Sequence, residues 1–191
     1  MIKTPELSVE GNIVLVPVNR SALTPILNAI KEDPDSAYSA LPWLDKGKET
    51  RQQIRDMLND VEAQSNSNQI HFWSIIEDQS REFIGLIGLG DELQLLHSNY
   101  NLGYWVRTPH RRKGVTIKCV NAIFQWLSSE QEFFRIEITV HPHNDAGLAT
   151  AASICNAWDG DSVEEFIGIE ISGRTVPHRL HIVDINRGGD S

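Results

Sequence analysis

Cysteine is scarce in this chain, with only Cys119 and Cys155 among 191 residues. Both fall within apolar helical patterns, so they read as free buried thiols rather than a disulfide or a metal site, and no metal is expected. No apolar run approaches the length of a membrane span, and the opening MIKTPELSVEGN lacks the apolar core of a secretory signal. The default expectation is a cytoplasmic protein without a membrane partner, monomer or homodimer. Basic residues are outnumbered too: 17 Lys and Arg face 26 Asp and Glu, a formal charge of −9, which argues against nucleic acid as a partner. No repeat, linker or low-complexity tract interrupts the chain. Its length suits one domain, residues 1–191, with a core over about 12–184 and a frayed tail at about 185–191.

Hydrophobic periodicity gives the order of elements. Residues 13–18 are rich in β-branched side chains and read as a strand, with Pro17 suited to an edge. Leu23, Ile26, Leu27 and Ile30 recur at helical spacing after Ser21, the expected N-cap, and Asp33-Pro34-Asp35 reads as a turn. Residues 39–44 form an apolar loop broken by Pro42. Trp43 in it reads as a core anchor, with a seat beside a substrate cleft as the alternative. Thr50 and Gln53 have the spacing of a capping box ahead of Ile54, Met57, Leu58 and Val61. Strands near 70–77 and 82–90 form a hairpin. Gly85, Gly88 and Gly90 have the wrong spacing for a dinucleotide fingerprint and point to bulges or close strand packing.

A strand at 101–106, a buried helix at 114–128 and a strand at 135–140 come next, then a small-residue helix at 146–154 capped by Asn144 or Asp145. Strand-like runs at 163–171 and 175–184 finish the chain. The order β-α-α-β-β-β-α-β-α-β-β implies an α/β (α+β) fold, a mixed sheet of about six to seven strands with about four helices, rather than a doubly wound one.

Against the acidic background, four cations gather at Arg107 and Arg111-Arg112-Lys113, between a strand and a buried helix. Free N–H groups and the helix dipole favour an anion at such a junction, and Gly114 lets a ligand approach the backbone. A solvated basic loop is the alternative for an isolated run of this kind.

The residues Arg111-Arg112-Lys113-Gly114-Val115-Thr116 match, except at the last position, the pyrophosphate loop Q/R-x-x-G-x-G/A of the GNAT superfamily of acetyl-CoA-dependent N-acetyltransferases. Leu102-Gly103-Tyr104-Trp105-Val106, Arg135-Ile136-Glu137, Asn144 and Leu41-Pro42-Trp43-Leu44 stand at matching places, and the chain resembles the ribosomal-protein N-terminal acetyltransferases within that superfamily. The resemblance implies a GNAT-like fold in which two adjacent parallel strands, about 99–106 and 134–141, splay apart after a bulge around the pantetheine arm. It implies that backbone groups of Trp105, Val106 and Arg107 pair with the arm. Arg111, Arg112, Lys113, Gly114, Val115 and Thr116 would hold the phosphates, and Asn144 would touch the arm near its exit. Trp43, the first two helices and a hairpin near 171–176 would line the acceptor cleft.

Acyl transfer to an amine needs a proton acceptor, a donor for the oxyanion and an acid for the departing thiolate. Many relatives carry glutamate where this chain has Asn101 and serine where it has Gly147; Cys155-Asn156 and Ile117-Lys118 also depart from the family pattern. The candidates left are Asn101, which can hold a water, Tyr104 with its hydroxyl, and Glu137, for which an ion pair with Arg135 is the competing reading. His97, His141 and His143 titrate in the useful range but read individually as polar surface groups. The resemblance therefore implies an N-acetyltransferase acting on a primary amine, most readily a protein or peptide N-terminus such as that of a ribosomal protein. The alternative is a noncatalytic acyl-CoA-binding or interaction module that kept the fold.

Overall fold

The computed structural model describes residues 3–65, 69–130, 132–171 and 173–186. Strands β1 (Leu7–Val9) and β2 (Ile13–Pro17) precede helices α1 (Leu23–Glu32), α2 (Pro34–Ala40) and α3 (Thr50–Ser65). Strands β3 (His71–Glu77), β4 (Phe83–Gly90) and β5 (Tyr100–Val106) lead to α4 (Val115–Glu130), then β6 (Phe133–Val140), α5 (Asp145–Trp158), β7 (Asp161–Ile171) and β8 (Arg174–Asn186). The eight strands form one sheet in the order β1-β2-β3-β4-β5-β6-β8-β7. Among the described residues no helix is long and apolar enough to cross a membrane.

The mixed α/β architecture matches the sequence expectation, with two additions. β1 pairs Leu7 with Leu15 and Val9 with Ile13, extending the sheet to eight strands. The same N-terminal stretch is anchored by Trp73 Nε1, which donates to the Pro5 carbonyl at 2.7 Å, and by Thr4 Oγ1, 2.8 Å from His71 Nδ1. The expected turn at Asp33-Pro34 instead opens α2: the Asp33 carboxylate accepts the Ser36 N–H at 3.1 Å, and Pro34 occupies the first helical turn, where no N–H is needed. At the other end β8 runs through Ile185 and Asn186, which pair with Phe134 and Phe133; the rest of the expected tail lies outside the described residues.

Two expected caps are replaced. Asn19, not Ser21, receives the Ser21 N–H at 2.8 Å ahead of a 3-10 turn leading into α1. Glu49 accepts the N–H groups of Arg51 and Gln52 at 3.0 and 2.5 Å, which frees Gln53 from a capping box. Gln53 instead accepts the Asp45 N–H at 2.7 Å and donates to the Asp45 carbonyl at 2.9 Å, pinning the loop that carries Trp43.

Each face of the sheet has its own core. On one, α4 and α5 bury Cys119, Val120, Ile123, Phe124, Leu127 and Ile154 against Ile87, Leu102, Ile136 and Val183. On the other, α1, α2 and α3 bury Ile26, Ile30, Ala37, Ile54 and Leu58 against Leu86 and Trp105. Both cysteines are free and buried, and burial pushes the Cys119 thiol up to about 12.

Candidate active site

The sheet opens at its centre. β5 and β6, its one parallel pair, are joined only at Tyr100–Ile136 and Asn101–Glu137, although both strands run on to Val106 and Val140. Their divergence needs no bulge in β5, whose ladder to β4 is continuous from Asn101–Gly90 to Val106–Gly85. Gly85 permits this tight pairing, since a Cβ there would lie 2.2 Å from the Trp105 carbonyl oxygen. The Arg107 N–H donates to the Ile84 carbonyl at 2.9 Å, and strand alternation turns the backbone groups of Trp105 toward β4 as well. Those of Tyr104 and Val106 then face the opening. This corrects the expected trio: the Trp105 and Arg107 backbones are used within the sheet, and only Val106 of the three presents its edge to a ligand.

The basic cluster divides in the same way. Four of the five guanidinium N–H donors of Arg107 are engaged, two with Glu32 at 2.8 and 2.9 Å, one with Glu82 at 2.8 Å and one with the Phe83 carbonyl. Arg111 donates from Nε to the Val106 carbonyl at 2.8 Å and from its guanidinium to Ser36 Oγ, which also receives Trp105 Nε1 at 3.2 Å. These two arginines fasten α1 and α2 to the loop. Arg112 and Lys113 are exposed and stand in no ion pair among the described residues.

The loop itself suits an anion. Lys118 N–H is the first to find an intrahelical acceptor, the Gly114 carbonyl at 3.2 Å, so the N–H groups of Val115, Thr116 and Ile117 are open at the start of α4. Arg112 at φ +60° and Gly114 at φ +71° curl the backbone so that successive N–H groups converge. A Cβ on Gly114 would find space, with Ile117 Cγ2 at 3.8 Å, but would be strained at that φ.

Between the parted strands lies a cleft of about 350 Å³, bordered by Asn101, Tyr104, Thr139, His141, Asn144 and His178 among others. Asn101 sits at the fork, donating from Nδ2 to Thr139 Oγ1 at 3.2 Å. Tyr104 donates its hydroxyl to the Gly147 carbonyl at 3.1 Å, and burial raises its pKa well above the usual range, so it keeps its proton. Asn144 caps α5 by accepting the Gly147 N–H at 3.0 Å, leaving its Nδ2 as a spare donor. A side chain at position 147 would put Cβ 2.6 Å from that Nδ2 and 2.9 Å from Val140 Cγ1, which explains the glycine at this position.

Glu137 is fully buried and takes neither expected role. Its carboxylate accepts the backbone N–H groups of Gln94 and Leu95 at 2.8 and 2.7 Å, holding the β4–β5 loop. Arg135 pairs with Asp184 instead, both contacts at 2.7 Å, and lowers that carboxyl's pKa. Trp43 is 36% exposed and borders the cleft; its neighbours Leu41 and Leu44 are the buried anchors.

His141 and His178 border the cleft, and His143 adjoins His141. His141 lies edge-on to His178 with ring centroids 5.5 Å apart, and His143 is 5.4 Å from His141. His141 Nδ1 accepts the His143 N–H at 3.2 Å, while burial and the neighbouring rings lower its pKa. His178 is 6% exposed, with Nδ1 3.0 Å from the Val176 carbonyl; a carbonyl only accepts, so Nδ1 carries the proton and Nε2 is the basic nitrogen. Sequence reasoning missed His178 because only the folding back of β7 and β8 brings it to this place.

Parted parallel strands beside a cationic helix N-terminus form a site for a long, phosphate-bearing thioester, and that is the class of protein the fold and site define. The family model described as Acetyltransferase (GNAT) domain matches residues 12–154, and the chain belongs to that family of acetyl-CoA-dependent N-acetyltransferases. No protein of curated function matches it significantly by sequence. Among solved structures, the ribosomal-protein-S5-alanine acetyltransferase of Vibrio fischeri superposes with a TM-score of 0.73 at 17% identity, covering 98% of this chain and 100% of that one. RimL, a ribosomal L7/L12 alpha-N-protein acetyltransferase solved with coenzyme A, gives 0.78 at 12% identity over 96% and 100% of the two chains. Mycobacterium smegmatis RimJ with CoA-disulfide gives 0.72 at 18%, covering 98% and 89%. At these identities the likeness establishes the fold.

Proposed function

We propose that the protein acetylates the α-amine of a peptide or protein N-terminus. The observation that carries this reading is the cleft opened where β5 and β6 part, which is bordered by His178, Trp43 and the acids Asp45, Glu92 and Glu170. The similarity to RimL, a ribosomal L7/L12 alpha-N-protein acetyltransferase, and to the ribosomal-protein-S5-alanine acetyltransferase supports the same acceptor class. Acetyl-CoA supplies the acetyl thioester. Arg112, Lys113 and the open N–H groups of Val115 and Thr116 hold its phosphates, the Tyr104 and Val106 strand edge receives its arm, and Asn144 Nδ2 lies near the exit.

An N-terminal amine is largely protonated at neutral pH and must lose a proton before it attacks. His178 Nε2 takes that proton, its ring fixed by the Val176 carbonyl. Asn101 orients the amine or a water at the fork, and the leaving thiolate takes its proton from the imidazolium that His178 has become. With an imidazole at the mouth, Asn101 need not be a base, and no observation favours a noncatalytic module.

The test is acetyl transfer to a panel of free and N-blocked peptides, followed by mass spectrometry. We expect label on the α-amine alone. His178→Gln should lower kcat by about a hundredfold or more at pH 7 and leave the thermal shift with CoA unchanged. Transfer to lysine side chains of N-blocked peptides, or full activity in His178→Gln, would overturn the assignment.

A further inference from the structure

The cleft does not end at Trp43. A groove of about 480 Å³ continues from it beneath α3, and the two cavities share Trp43, Lys48, Glu92, Asn101 and Gly103. This groove exists because side chains are missing from the sheet. Gly88 and Gly103 are directly paired in the β4–β5 ladder, and Gly90 is paired with Asn101 two residues on. Gly103 is exposed in the middle of an eight-stranded sheet, and a Cβ there would meet nothing within 4 Å. Glycine within a strand is unfavourable in conformational entropy. Close packing explains Gly88, whose Cβ would strike the Phe72 ring at 2.5 Å, but among the described residues nothing lies within 4 Å of a Cβ built on Gly103.

The walls and rim have different chemistry. Met57, Val61, Phe72 and Leu86 make an apolar trough. Around it stand four acids, Asp56 and Asp60 on α3 and Asp91 and Glu92 just after β4, and none is in an ion pair among the described residues. The lining has one cation, Lys48, whose Nζ is 3.8 Å from the Asp45 carboxylate.

We infer that this groove binds the residues that follow the acceptor amine, and that it selects an N-terminal segment bearing lysine or arginine. The glycine floor admits an extended backbone, the trough takes an apolar side chain, and the acids meet the cation. The inference rests on the N-terminal acceptor reading above and adds the substrate class within it. Electrostatic complementarity of this kind discriminates among partners more than it raises affinity in general.

The test uses α3, which lies outside the residues assigned to transfer. Asp56→Lys/Asp60→Lys places two exposed charge reversals on the rim, and Met57→Trp fills the trough. Fluorescence anisotropy, with CoA present, measures binding of a labelled basic N-terminal peptide and of a neutral one. Wild type should prefer the basic peptide and lose that preference at high salt; Asp56→Lys/Asp60→Lys should weaken the basic peptide about tenfold or more and leave the neutral one within twofold, Met57→Trp should weaken both, and neither variant should move the CoA thermal shift. Equal binding of both peptides with no effect of the variants would overturn the groove assignment, while acetylation of those peptides would leave the acceptor reading intact. α3-dependent binding without any acetylation would do the reverse. Spermidine displacing nothing while peptides compete is the expected control; spermidine binding without peptide binding would overturn the peptide assignment.

Discussion

The two ends of the cleft are built by opposite means. At the donor end the backbone does the binding: open N–H groups at the start of α4, two left-handed residues and an unpaired strand edge, with Arg112 and Lys113 adding charge. At the acceptor end side chains do it: imidazoles, carboxylates and a tryptophan around a floor that glycine leaves bare. A backbone site depends on where a strand stops and a helix starts, which local sequence fixes. A side-chain site depends on which loops meet, which it does not.

That division predicts separable losses. The largest is Gly114→Glu, which forces a side chain into φ +71° and sets a negative charge against the α4 N-terminus. CoA affinity, read by calorimetry, should fall at least about a hundredfold, while basic peptides still bind at the α3 groove. Equal loss of both would mean that the two ends are one site.

A smaller effect splits the basic cluster. Arg107→Ala leaves Glu32 and Glu82 facing each other without their shared cation and should cost about 2 kcal/mol of stability in urea unfolding. Arg112→Ala/Lys113→Ala should leave stability unchanged and reduce the salt dependence of CoA binding. Reversed outcomes would return Arg107 to the phosphate site.

Much of the donor end was legible in the sequence for the reason just given. The RRKG run, Gly114 and the periodicity of Val120, Ile123, Phe124 and Leu127 all lie within a short stretch, and the loop and helix follow from them. Charge counting could not say which cations were free, because Glu32 and Ser36, which hold Arg107 and Arg111, lie on α1 and α2, 75 residues away in each case. Glu137 was placed correctly on its strand, yet its partners are backbone N–H groups of a loop, which no side-chain pattern reveals. α2 carried its own signal, an Asp N-cap before Pro, read as a turn because the helix spans only Pro34–Ala40. At the acceptor end Trp43 and His178 carried no periodic signal at all.

The boundary between the ends is Gly147, where serine would supply a hydroxyl near the thiolate. Gly147→Ser should not restore a catalytic group. Its Cβ displaces the Asn144 cap, and the overpacking should cost about 1–2 kcal/mol and weaken CoA binding. A gain in kcat without loss of melting temperature would show that the cap yields and that the position is a vacant catalytic one.

The smallest effect separates pH acting on the fold from pH acting on the reaction. His71 is fully buried among Trp73, Trp126 and Tyr100, on the face covered by α4, and burial lowers its pKa from 6.5 to about 4. The unfolded chain therefore binds the proton first, and stability falls as pH drops below 6.5 toward 4. Between pH 6.5 and 5.5 the loss from this group is about 1 kcal/mol, since the folded form stays neutral over that window. Thermal melts should slope downward across it, and His71→Asn should flatten the slope while leaving the pH profile of kcat in place. His178→Gln should do the opposite, lowering kcat across the range and leaving the melting slope. One variant changing both readouts would mean that the acceptor end and the buried ring cluster are coupled, and the separation of the two ends would fail.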